Sequence, residues 1–80
     1  MQSQLELFPN PVEPTAPQLR DLLAYLRAGN TITMKEALLK LGIGALSQRV
    51  GDLKDLHWPI KSKMIWVGEK HVGGYFMGQE

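Results

Sequence analysis

Cysteine is absent from this 80-residue chain. That excludes disulfides and cysteine-built zinc sites, and it fits a reducing, cytoplasmic compartment. No run of 18 apolar residues occurs, so no transmembrane helix is expected. The first residues lack a basic region followed by a long apolar stretch, so they do not read as a secretion signal. Histidine is scarce: His57 and His71 stand far apart. Apart from threonines, the hydroxyls are Ser3, Ser47, Ser62 and two tyrosines. A glycine-rich phosphate loop, a metal-ligand spacing and a close carboxylate pair are all missing. The expectation is a protein that is not an enzyme and that holds no metal or cofactor.

What is present fits one small domain. An apolar fraction of 44% is that of a globular chain, and a core this small needs nearly all of its patterned apolar residues. The net charge of +1 is unevenly placed. Residues 1–14 carry Glu6 and Glu13 and no cation, whereas residues 15–80 carry all nine Lys and Arg against six acids, a net of +3. A mildly basic domain behind an acidic tail permits nucleic acid as a partner.

Residues 1–14 contain Pro9, Pro11 and Pro14 and read as an extended, mobile arm. The folded domain is then expected over residues 15–80. A capping-box pattern at Thr15 and Gln18, with Pro17 in the first turn, opens a first helix. Leu19, Leu22, Leu23 and Leu26 form its apolar stripe, and Gly29 ends it. A second box, Thr33 to Glu36, opens a second helix with Ala37, Leu38 and Leu41 buried and Gly42 as its stop. After a tight turn, a third helix runs from about Ala45 to Leu56 or His57, and Pro59 forces its end. Beyond Pro59 the period falls from 3.6 to about 2. Ile60 to Val67 and His71 to Met77, around a turn at Gly68-Glu69-Lys70, read as a hairpin. The class is α+β: a winged helix, with three helices including a helix-turn-helix, then a two-stranded wing.

At 100° per residue, Leu46, Val50, Leu53 and Leu56 share one side of the third helix. Ser47, Gln48, Gly51 and Asp55 occupy the other, flanked by Asp52 and Lys54. Gln pairs bidentately with adenine and Ser bonds either base edge, so Ser47 and Gln48 are candidate base contacts. Against this, Asp52 and Asp55 repel phosphate, and Arg49 and Asp52 have the spacing of an ion pair along the helix. Such folds also dock proteins. The wing supplies Lys61 and Lys63 on one strand face, with Lys70 and His71 at the turn. Together with Lys54 they are candidate phosphate contacts; the alternative is an edge strand that its lysines protect from aggregation. Trp66, Tyr75, Phe76 and Met77 are expected in the core, with Phe76 the one that alternation can turn outward.

Residues 19–77 resemble a family of small helix-turn-helix domains common in bacteriophages and prophages. The resemblance rests on Thr33 before Glu36-Ala37-Leu38, on the stretch from Leu46 to Lys54 with Arg49, Asp52 and Leu53, on Trp58-Pro59-Ile60, and on a closing Tyr75-Phe76-Met77. It implies a winged helix that binds double-stranded DNA: a phage-encoded regulator or an accessory factor in transcription, excision or replication. The chain departs from the pattern at Gly73-Gly74, where a basic or small side chain is expected before the aromatic. In the arm, Gln4-Leu5-Glu6-Leu7-Phe8 resembles the pentapeptide by which bacterial replication and repair proteins bind the sliding clamp. It implies an adaptor, with Gln4, Leu5, Leu7 and Phe8 as partner contacts. The other reading folds Leu5, Leu7 and Phe8 back onto the helices as extra core. A homodimer through the four leucines of the first helix is also compatible with the sequence.

Overall fold

The computed structural model describes residues 10–78. The order of elements is α1 (Pro17–Arg27), β1 (Ile32–Thr33), α2 (Met34–Leu41), α3 (Leu46–Asp55), β2 (Ile60–Val67) and β3 (Lys70–Met77). The three helices and the hairpin expected from the sequence are all there. The sheet, however, has three antiparallel strands in the order β1-β3-β2. β1 was not foreseen. It is two residues long, and it places Ile32 opposite Tyr75 and Thr33 opposite Gly74.

The core lies where α1 meets α2, α3 and β3. Leu22, Leu26, Ile32, Ile43 and Leu53 are fully enclosed, and Leu46 and Val50 are nearly so. Leu22, Leu23 and Leu26 are thus consumed by the domain's own core. They offer no dimer face on α1, contrary to the reading that paired two copies there.

Local chemistry explains most boundaries, with corrections. α1 is capped not by Thr15 but by Ala16, without a side-chain bond, because Pro17 takes the first helical position. Gln18 instead donates through Nε2 to the Gly42 carbonyl, at 3.2 Å. At α2 the capping box is complete. The Glu36 amide donates to Thr33 Oγ1 at 3.3 Å, and the Thr33 amide donates to Glu36 Oε1 at 3.1 Å. Gly42, at φ +69, closes α2: its amide donates to the Leu38 carbonyl, and that of Ile43 to the Ala37 carbonyl. Leu38 is 56% exposed rather than buried, so only Ala37 of the expected face is enclosed and Leu41 is half-buried. In the hairpin Val67 opposes Lys70, so the loop is Gly68-Glu69 alone and β3 starts one residue early. Gly68, at φ +63, supplies the positive dihedral that a two-residue loop needs.

Residues 10–15 form no helix or strand, and the end of the arm is not free. The Val12 amide donates to the Leu56 carbonyl at 2.9 Å, and the Trp58 indole donates to the Val12 carbonyl at 2.7 Å. Pro14 is buried, and Glu13 pairs with Arg27 at 3.2 Å. Arg27 also lies 5.2 Å from the Trp58 ring centre. Residues 12–14 therefore strap α1 to the end of α3.

Gly73-Gly74, the departure from the expected pattern, has a packing cause at its second position. A Cβ on Gly74 would come within 2.8 Å of Thr31 Cγ2, whereas one on Gly73 would meet open space. The Thr31 side chain, just before β1, can lie against β3 there only because Gly74 has none. Gly74→Ala should therefore cost about 1–3 kcal/mol by overpacking, with Gly73→Ala nearly neutral. Urea denaturation of the two variants checks this; equal losses would put the constraint elsewhere.

Candidate nucleic-acid interface

α3 presents two faces because Leu46, Val50 and Leu53 are turned inward. Ser47 and Gln48 in its first turn are exposed, as are Lys54 and Asp55 near its end. Arg49 is held along the helix: its Nη2 lies 3.2 Å from the Asp52 carboxylate. This pair mutes one acid of the helix and also takes one cation out of contention for phosphate. The helix ends at Asp55 with Leu56 as its cap, and His57 adopts φ +72 before Trp58 turns back toward α3.

The wing follows from the register of β2 and β3. Opposed residues share a face, so Lys61, Lys63 and Lys70 fall on one face with Phe76. Ile60, Tyr75 and Met77 occupy the other face, against the core, and His71 and Trp66 lie farther along that same side. Lys61, Lys63, Lys70 and His71 are all exposed. Lys63 Nζ sits 4.8 Å from the Phe76 ring centre, so the half-buried Phe76 serves as a seat for a cation. The Lys61 stem packs across Gly78.

Trp66 corrects a sequence expectation. It is 67% exposed and rests on His71, with ring centres 3.8 Å apart. Met64 and Val67 are likewise more than half exposed. The strands alternate as the period predicts, but the ribbon runs past the end of the core, so its outer half has nothing to be buried against.

Between the wing and the first turns of α2 and α3 lies a groove of about 1010 Å³. It brings Ser47 and Lys63 together, with Lys35 on its wall. Gln48, Lys54, Lys61, Lys70 and His71 lie outside it. Met34, Leu38, Met64 and Val72 make much of its surface apolar. Nothing in the sequence pointed to this feature, since its wall joins residues from five elements. The remaining sequence-derived candidates, Gln4, Leu5, Leu7 and Phe8, lie outside the described residues. Among the described residues no group of three or more His, Asp and Glu could hold a metal ion, and no helix is long and apolar enough to cross a membrane.

Residues 17–80 match the winged helix-turn-helix domain family. The chain belongs to that family. The match covers every helix and strand described above and leaves out the arm and its strap. No curated protein and no solved structure gives a significant match. For this winged helix-turn-helix protein the fold suggests DNA as a partner, and the finer assignment rests on the residues.

Because Trp66 lies outside the core, Trp66→Ala should change stability by less than about 1 kcal/mol, against the roughly 3–5 kcal/mol expected of a buried tryptophan. A thermal melt of the variant measures this, and a collapse of the melting temperature would restore Trp66 to the core.

Proposed function

We propose that this protein binds double-stranded DNA, with α3 entering the major groove and the wing lying along the backbone. The single observation that carries the reading is the pairing of an exposed Ser47-Gln48 turn on a firmly buried helix with Lys63 across one groove. Small and amide side chains at the start of α3 suit close approach to base edges. Lys61, Lys63 and Lys70 share a ribbon face and suit phosphate, which positions a protein without reading sequence. Lys54 and His71 extend the charge at either side. The resemblance to phage and prophage domains supports a phage-encoded regulator or accessory factor acting in the bacterial cytoplasm in transcription, excision or replication. The residues supply no catalytic constellation, so the protein acts by binding.

A second reading is an adaptor that reaches the bacterial sliding clamp through Gln4, Leu5, Leu7 and Phe8. It is favoured by the fit of all five residues Gln4-Leu5-Glu6-Leu7-Phe8 to the clamp-binding pattern, and by the strap at Val12, which ties that pentapeptide to the domain by a short lead.

Titration against duplex DNA at two salt concentrations tests the main reading. Binding should weaken steeply with salt, because each contacted phosphate releases counterions. Lys61→Ala with Lys63→Ala should lower affinity for all sequences and reduce the slope of log K against log salt by up to about 2, while Gln48→Ala should relax sequence preference by about 1–3 kcal/mol at one base pair. Binding and slope unchanged in the double variant would remove the wing from the interface.

A further inference from the structure

We propose that the groove beside β3 receives residues 4–8 of a second copy of this chain, added as a strand to the free edge of β3. β3 pairs with β2 along its whole length, but β1 covers its other side only at Gly74 and Tyr75. The Thr33 cap is the reason: α2 begins there and carries the chain away. Among the described residues the outer backbone edge of β3 at residues 70–73 is therefore unpaired by any strand. An unpaired edge beside an apolar groove is the arrangement into which extended peptides add.

The pentapeptide Gln4-Leu5-Glu6-Leu7-Phe8 has the right alternation. In a strand Leu5 and Leu7 share one face, and Gln4, Glu6 and Phe8 the other. On β3, Gly73 lies on the core side with Met64, and Val72 and Lys70 lie on the other with Lys63 and Val67. Turning Leu5 and Leu7 toward Leu38 and Met64 puts Glu6 beside the lysines and Phe8 beside the valines. Leu38 and Met64 are 56% and 62% exposed and gain cover. Gly73 has open space where a Cβ would stand, which lets a backbone come close.

Reach selects a second copy over the chain's own arm. Val12 is fixed at the Leu56 carbonyl, at the end of α3, while Leu46 and Ser47 at its start line the groove. The ten residues of α3 rise about 15 Å. The lead from Val12 back to Phe8 spans at most about 14 Å when fully stretched. The axial distance alone uses up that lead before the pentapeptide begins to pair. The arm of a neighbouring copy has no such limit, and two copies related by a twofold axis can exchange arms reciprocally.

The absence of cysteine allows a clean test in the full chain and without DNA, so it stands apart from the DNA reading. Ser3→Cys carrying a nitroxide, at natural isotope abundance, is mixed with an isotope-labelled unmodified chain. The amides of Val72 and Gly73 and the methyls of Leu38 and Met64 should broaden in the labelled chain as concentration rises. Sedimentation should shift from monomer toward dimer over the same range. Leu7→Asp with Phe8→Asp should abolish both effects and leave the circular dichroism unchanged, and Leu38→Glu should weaken both. Two results would overturn the proposal: no broadening in the isotope-labelled chain as concentration rises, or a dimer that survives the arm substitutions.

Discussion

The burial of one side of α3 governs everything on the other. Leu46, Val50 and Leu53 lock the helix into a core shared with α1, and that leaves Ser47 and Gln48 no choice but to face outward. The helix is only ten residues long, and peptides of that length are marginal helices alone. Its orientation therefore comes from packing, not propensity. The same three side chains that stabilise the domain also aim its polar surface.

Thr33 is the second fixed point. It is the one buried polar residue among those described; it caps α2 and it opposes Gly74 in the sheet. Strand and helix meet at this residue with no linker, so the register of β1 and the start of α2 cannot be adjusted separately. Gly74 is the matching concession on β3, because a side chain there would strike Thr31. One consequence is structural: a third strand ties the hairpin to the helices. The other is that β3 is left uncovered just beyond, beside the groove.

What could be read from the sequence, and what could not, divides by range. The Thr33-Glu36 box and the Gly42 stop were legible because each is a contact within a few residues. The similar pattern at Thr15 and Gln18 failed because Pro17 already held the first helical position. β1 was invisible, since two residues have no period. The exposure of Leu38 and Trp66 was missed for a common reason: periodicity assigns a face, but it does not say whether the core extends far enough to cover it. The strap was hidden too. Proline content announced an extended segment, but the bond from Trp58 to Val12 joins residues 46 apart in sequence. Of the candidate interface, individual lysines and the first turn of α3 were legible. The groove that brings Ser47 and Lys63 together was not, because only the fold makes them neighbours.

The arm and the interface are not independent in this arrangement. Ser47 and Lys63 line the same groove whose wall offers Leu38 and Met64. An extended peptide seated there would carry Glu6 toward Lys63 and compete with phosphate for that cation, while its bulk would stand against the first turn of α3. The apolar wall points the same way. A surface made only for DNA would hardly leave Met34, Leu38 and Met64 open to water, since phosphate contacts gain nothing from them. Apolar exposure beside a basic rim is better suited to an occupant that is both greasy and acidic, and Leu5-Glu6-Leu7 is such a sequence within this chain. On this reading arm and DNA exclude each other on one surface, so whatever draws the arm away, a clamp included, would favour DNA binding by leaving Ser47 and Lys63 uncovered.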